Sequence, residues 1–146
     1  MNASQPSSAP LLEVRGLNGW YGAAHILRDI ALNVGPGEVV ALMGRNGAGK
    51  STTLKTVMGM LAKRKGRITF RGEDISGTEP HHAARMGLGF VPEDRRVFTD
   101  LTVLENLEVA RQGARLWSDG TAAPVWTPER LFALFPNLGE MPHRPG

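Results

Sequence analysis

A glycine-rich turn between an apolar run and a helical stretch constrains this chain more than any other feature. The apolar run covers residues 39–43, the turn covers residues 44–51 with the spacing G-x-x-x-x-G-K-S, and the helical stretch covers residues 52–60. This spacing is that of the phosphate-binding loop. Its glycines let the backbone come close to an anion while successive amides point toward it. A turn that merely links a strand to a helix is the alternative, and the flanking elements favour phosphate binding.

The polar residues that end the turn have the chemistry of a nucleotide site. Lys50 is placed to reach the β- and γ-phosphate oxygens, and the hydroxyl of Ser51 can bind Mg²⁺. A helix that begins near Lys50 adds its partial positive charge and its unpaired amides. Triphosphate and Mg²⁺ binding is therefore predicted from the residues themselves.

Composition excludes several other classes of function. The 146 residues have a one-domain length, a mild net charge of +3 and no cysteine, so disulfides, thiolate metal sites and a cysteine nucleophile are excluded. The basic residues are scattered except at 63–65, which we interpret as a solvated loop, so no nucleic-acid partner is expected. The apolar runs are far shorter than the roughly 20 residues that span a bilayer. Residues 1–10 have no signal-peptide pattern and are expected to form a disordered tail of a cytosolic protein.

The pattern of apolar residues before position 72 predicts both kinds of sheet. Residues 11–17 and 30–34 are predicted to be strands of an antiparallel layer, with a further strand at 67–70 after a turn at 63–66. Residues 38–43 are apolar on both faces, which is typical of a strand buried in a parallel sheet. The helix after the glycine-rich turn is predicted to run over 50–61.

The second half of the chain contains clear helix signals. Pro80 suits the first turn of a helix over 80–86, and Gly87 suits the position after it. Thr102 and Glu105 form the pattern of a capping box that opens a helix over 103–111. Thr127 followed by a proline predicts another helix start, for a helix to about residue 135.

A parallel core can be drawn from two segments only. Residues 88–91 are predicted to be a strand that Pro92 ends, and residues 38–43 are the other candidate. A two-stranded parallel sheet is not expected to be covered and stable alone. We therefore expect an α/β fold that is part of a domain.

Four segments together resemble the ATP-binding subunits of ABC transporters. They are residues 44–55, Val-Pro-Glu-Asp-Arg-Arg-Val-Phe at 91–98, Leu-Thr-Val-x-Glu-Asn-Leu at 101–107, and Leu-Phe-Pro-x-Leu at 134–138. The resemblance covers residues 11–146 and looks closest to the ATPase subunits of branched-chain amino-acid importers. It implies a P-loop NTPase core with an N-terminal antiparallel β layer and the start of the helical subdomain, an incomplete domain.

The resemblance assigns roles to matching positions. It implies that Tyr21 stacks on adenine, although Trp20 is an alternative for that role, and that the residues around the triphosphate are Asn46, Gly47, Ala48, Gly49, Lys50, Ser51 and Thr52. It implies Mg²⁺ ligands at Ser51 and at Glu93, which occupies the Q-loop position where most of the superfamily has glutamine. A plain surface carboxylate beside Arg95 and Arg96 is the alternative for Glu93.

What the resemblance implies for the whole protein goes further. The signature loop, the Walker B strand with its catalytic glutamate and the switch histidine would follow the last residue, so no catalytic residue is assigned here. Expected partners are transmembrane permease subunits, a second ATP-binding subunit in a head-to-tail dimer, and indirectly a periplasmic substrate-binding protein. The expected location is the inner face of the plasma membrane. A nucleotide-binding fragment without hydrolysis, and the ATPase of a urea or amide importer, are the alternatives. A GTPase or small-molecule kinase is disfavoured.

Overall fold

The computed structural model describes residues 9–94, 96–111, 113–114, 116, 120 and 122–146. These residues group into two units that divide after Phe90, and each unit is described by itself. The predicted N-terminal tail lies outside the described residues as far as position 8. The last two residues of the predicted tail, Ala9 and Pro10, are described and belong to no helix or strand.

The first unit is built on an antiparallel sheet with the strand order β2-β1-β3-β4. The strands are β1 (Leu12–Tyr21), β2 (Ala24–Val34), β3 (Lys63–Phe70) and β4 (Glu73–Asp74). In the middle of the sheet, Val14 of β1 lies opposite Leu32 on one side and Ile68 on the other. The predicted antiparallel pairing of the first two strands is confirmed, and both strands are longer than the apolar alternation indicated.

The turn predicted at residues 63–66 is wrong, because these residues form the first half of β3. Gly66 has a φ of 115° there, and a Cβ at this position would lie 2.5 Å from the carbonyl oxygen of Gly16. The glycine and the charged residues resemble a turn in sequence. In the fold, the same glycine lets two backbones approach closely at an irregular point of the β1–β3 pairing.

The two segments predicted to be parallel strands, 38–43 and 88–91, have no strand structure. Within the first of them Val39 is 95% exposed and Met43 is 88% exposed, and Val91 at the end of the second is 90% exposed. A strand is stabilised by a hydrogen-bonded neighbour and by cover on its faces. Among the described residues no strand pairs with either segment, which accounts for the difference.

Two helices complete the first unit, α1 (Lys50–Val57) and α2 (Pro80–Met86). The first is shorter than predicted because Gly59 adopts a φ of 79° just after it, where a Cβ would lie 2.3 Å from the carbonyl oxygen of Thr78. The second has the predicted bounds, and Gly87 follows it with a φ of 111°. The core gathers the buried side chains of Val14, Leu17, Leu27, Val57, Ile68, Phe70 and Ile75.

The second unit contains α3 (Val103–Val109), α4 (Pro128–Leu134) and α5 (Pro136–Gly139). The predicted capping box of Thr102 and Glu105 is present, and the helix it opens ends two residues before the predicted position. The segment at the end of the chain contributes to the same helix start, since the amides of Val103 and Leu104 donate to carbonyls of Arg144 and Pro142. Within the part of the chain that is described, no helix is long and apolar enough to cross a membrane.

Candidate functional site

The glycine-rich turn forms an open loop that leads directly into α1. Gly44, Gly47 and Gly49 have φ values of 152°, 83° and 89°, a region of backbone conformation that favours glycine. The amide of Ala48 donates to the carbonyl of Arg45 at 3.1 Å and closes the turn. The conformation that the G-x-x-x-x-G-K-S spacing predicted therefore has its glycines where the backbone requires them.

Lys50 lies over the loop at the first position of α1. Its Nζ donates to the carbonyl oxygens of Gly44 at 2.7 Å and of Arg45 at 2.9 Å. These two bonds hold the ammonium group at the loop rather than in open solvent. A positive charge beside the loop favours the binding of an anion such as a phosphate group there.

The N-terminus of α1 is available to an acceptor from outside the chain. Gly49 precedes the helix in a left-handed conformation, and no side chain caps the helix start. The first amides of a helix have no intrahelical acceptor and carry its partial positive charge. Because the loop and the helix start are adjacent, their amides and Lys50 form one electropositive site that suits a phosphate group.

The remaining predicted phosphate ligands differ in exposure. Asn46, Gly47 and Ala48 are exposed, as is Ser51 on the first turn of α1, whereas Thr52 is half-buried. The helix is held below them by Thr53, which is buried and donates from its hydroxyl to the carbonyl of Gly49 at 2.9 Å. The side that faces solvent thus carries the hydroxyl proposed for Mg²⁺, and the buried side anchors the helix.

The two candidate aromatic rings have different surroundings. Tyr21 ends β1 at the turn into β2 and is 50% exposed. Trp20 is half-buried, with its ring stacked on that of His25 at a centroid distance of 4.4 Å and with Lys63 Nζ 5.5 Å from its centroid. Of the two rings, that of Tyr21 is the one that none of these groups covers.

Glu93 belongs to the other unit, from Val91 onward, and is exposed in a turn. The neighbouring ion pair does not involve it, because Arg96 Nε lies 2.7 Å from Asp94 Oδ2. Arg95, the other arginine considered for this carboxylate, lies outside the described residues. In the described segments no group of three or more His, Asp and Glu residues is arranged to hold a metal ion. A Mg²⁺ ion here would need phosphate oxygens and water besides Ser51, which is the usual mode of this ion.

The family model described as ABC transporter matches residues 27–141 of this chain. The chain belongs to the ABC transporter family. Its residues form part of an ABC ATP-binding domain, with the antiparallel layer and the glycine-rich loop described above. The predicted fold class is thereby confirmed, although its two parallel strands are not formed.

Three similar proteins show what share of a relative's full length the chain covers. The "High-affinity branched-chain amino acid transport ATP-binding protein" of Pseudomonas aeruginosa is 41% identical over 130 residues, which are 89% of this chain and 54% of that protein. The "Lipopolysaccharide export system ATP-binding protein" of Haemophilus influenzae is 39% identical over 97 residues, 66% of this chain and 40% of that protein. A solved ATP-binding subunit of an ABC transporter has a TM-score of 0.59 and 40% identity over 68% of this chain and 41% of that one. The chain thus spans 40–54% of the length of these three relatives.

Sequence analysis did not find the residues that support the loop from below. Leu27 of β2 packs against Gly49, and Thr53 bonds to its carbonyl. The threonine could have been found, since a hydroxyl four residues after a carbonyl in a helix commonly donates to it. Leu27 is 22 positions from Gly49 in the sequence. The alternation of apolar residues indicates only that Leu27 is buried, and it does not show which residue Leu27 contacts.

Proposed function

We propose that this chain binds ATP with Mg²⁺ and is the nucleotide-binding portion of an ABC importer subunit. The observation that carries this proposal is the loop over residues 44–51, with its positive-φ glycines, its ammonium group and its uncapped helix start. For a complete subunit, the proposed function is to couple ATP binding and hydrolysis to transport. The family relationship supports this part of the proposal.

The residues proposed to hold the phosphates are Asn46, Gly47, Ala48, Gly49, Lys50, Ser51 and Thr52. The amide of Ala48 donates to the carbonyl of Arg45 at 3.1 Å, so it has to exchange this acceptor for a phosphate oxygen. The exposure of residues 46–48 supports this role, since a ligand can reach their amides without any rearrangement of the core. Lys50 already bonds to loop carbonyls, so it lies within reach of a phosphate bound by the same loop. Mg²⁺ then lies between Ser51 and the outer phosphates.

Tyr21 provides the stacking surface for the adenine ring. Its half-exposed position supports the assignment over Trp20, because the indole of Trp20 is already stacked on His25. A flat ring attracts a base face without reading its hydrogen-bonding edge. Glu93 is assigned to the Mg²⁺ and water side of the nucleotide and to coupling with the membrane subunits.

Branched-chain amino acids are the proposed transported substrates. Support comes from the Pseudomonas relative, which matches 89% of this chain at 41% identity, and from the segments at 91–98 and 101–107. The proposed partners are permease subunits, a second ATP-binding subunit and, indirectly, a substrate-binding protein, with the chain at the cytoplasmic face of the membrane. An ATPase for urea or amide import would have the same nucleotide site.

The experiment that tests nucleotide binding compares Lys50→Ala with Lys65→Ala, since Lys65 is an exposed lysine on β3. Both variants remove one positive charge, and only the first removes it from the loop. We expect Lys50→Ala to weaken ATP binding by roughly tenfold or more, because hydrogen bonds to charged groups contribute about 1.5–3 kcal/mol. Equilibrium titration of the purified chain with ATP, with and without Mg²⁺, gives both affinities. Equal affinities for the two variants, or no binding by the unaltered chain, would refute the proposal.

A further inference from the structure

Leu27 fills a slot between two glycines, one in the sheet and one in the phosphate loop. It lies opposite Gly19 in the β1–β2 pairing and is 1% exposed. A Cβ built on Gly19 would lie 3.2 Å from Leu27 Cδ1, and a Cβ built on Gly49 would lie 2.9 Å from Leu27 Cδ2. One methyl group of Leu27 therefore packs against the backbone of Gly19, and the other packs against the backbone of Gly49.

This arrangement places the phosphate loop in contact with the first hairpin. Gly49 is buried, whereas the loop residues before it are exposed. The three atoms nearest to a Cβ built on Gly49 belong to Ile26 and Leu27, the residues at an irregular point of the β1–β2 pairing. The side chain at position 27 thus lies directly against Gly49, the last residue of the loop before Lys50.

The same hairpin carries Tyr21 at its tip. Tyr21 pairs with Ala24 across the turn, two residues after Gly19 and six before Leu27. We propose that Leu27 is a positioning residue that sets the spacing between the phosphate loop and Tyr21. This role rests on the proposed nucleotide binding and adds to it a residue that the ligand does not touch.

A nucleotide that binds at both ends is sensitive to this spacing. Its triphosphate binds the loop and its base stacks on the ring of Tyr21. Once one of these contacts has formed, the other forms within the same complex and gains from a high effective concentration. That gain is lost when the two subsites no longer fit one ligand. Inorganic tripolyphosphate engages the loop alone, so its affinity does not depend on the spacing.

The test measures affinities of the full chain for Mg-ATP and for Mg-tripolyphosphate by calorimetry, together with the thermal unfolding midpoint. Leu27→Ala is compared with Leu32→Ala, which truncates a half-buried leucine of the same strand away from the loop. We expect the ATP-to-tripolyphosphate affinity ratio to fall about tenfold in Leu27→Ala, within the range of base stacking on an aromatic ring. The ratio should stay unchanged in Leu32→Ala, although both variants lower the unfolding midpoint.

Further variants complete the test. Leu27→Met keeps the volume and should restore the ratio, and Tyr21→Leu should lower it as Leu27→Ala does. If Leu27→Ala does not fold, Leu27→Val applies the same test with a smaller loss of volume at the same position.

A folded Leu27→Ala with an unchanged ratio overturns the positioning role, as does an equal shift in Leu32→Ala. Lys50-dependent ATP binding in those cases leaves the proposed function intact. No binding of either ligand by the unaltered chain overturns both proposals together.

Discussion

At the scale of single residues, the proposed role of the Glu93 carboxylate in Mg²⁺ binding can be tested directly. Glu93→Gln keeps the shape of the side chain and removes its charge. We expect ATP affinity without Mg²⁺ to change little, because in the proposed site the phosphates are held by the loop and by Lys50 and not by Glu93. The apparent affinity for Mg²⁺ in the presence of ATP should fall roughly tenfold, in line with the effect of losing a carboxylate near a metal. Titration of Mg²⁺ into the ATP-bound chain measures this difference.

Glu140→Gln is the matched control, since Glu140 is an exposed glutamate of the same unit. If Glu93→Gln and Glu140→Gln give the same Mg²⁺ dependence, Glu93 is a plain surface carboxylate and the Q-loop assignment fails.

At the scale of elements, the start of α3 links helix stability to pH. The amide and hydroxyl of Thr102 each donate to Glu105 Oε2 at 2.8 Å, and these bonds hold the pKa of that carboxyl below its ordinary value of 4.5. A lowered pKa means that the folded state favours the carboxylate. The contribution of this contact to stability is therefore fully present above pH 4.5 and is lost as the pH falls toward the lowered value.

This predicts a pH-dependent difference between the unaltered chain and Glu105→Gln. The difference in unfolding free energy should be constant between pH 5.5 and 7 and should shrink as the pH falls below about 4.5. Thr102→Ala should cost about 1 kcal/mol at neutral pH, as the loss of an N-cap usually does. Denaturant unfolding followed by circular dichroism across this pH range gives both quantities, and Glu140→Gln, at an exposed glutamate outside α3, is the control. A difference that is independent of pH would contradict the role of the charge.

At the scale of the whole molecule, we expect no ATP hydrolysis by the 146-residue chain. Residues 44–52 contain no carboxylate or imidazole that could act as a general base, and the role proposed for Glu93 is that of a Mg²⁺ ligand rather than of a base. Positioned acid–base groups contribute about 10²–10⁴-fold, and electrostatic stabilisation of the transition state often more. Phosphate release by the purified chain should therefore equal that of Lys50→Ala. A rate above that background which depends on Lys50 would show that the chain has a catalytic group elsewhere.

The exposed apolar residues predict a second property of the whole chain. Val39 and Met43 are almost fully exposed, in a segment that has no strand partner among the described residues. Apolar surface and unpaired backbone of this kind promote self-association. We expect the purified chain to self-associate in light scattering, and the double variant Val39→Thr, Met43→Gln to do so less than Leu134→Gln, which alters an exposed leucine of α4. A monodisperse monomer with a sharp cooperative melt would show that this surface is harmless.

The sequence by itself determined the features whose causes lie within a few residues. The loop at 44–51 follows from the spacing of its glycines and lysine, and α2 from Pro80 and Gly87. The capping box follows from one threonine and one glutamate three positions apart. In each case the interacting groups are neighbours in the chain, so the local preference is enough to predict the feature.

Only the tertiary structure decided the features that need a distant partner. Residues 38–43 have the apolar character of a buried strand, yet no described strand pairs with them and they stay irregular. Residues 63–66 resemble a turn, yet pairing with β1 makes them a strand because Gly66 can approach Gly16. The contact of Leu27 with Gly19 and Gly49 joins three separate segments. Strand pairing and side-chain packing depend on which backbones meet, and that depends on the fold of the whole unit.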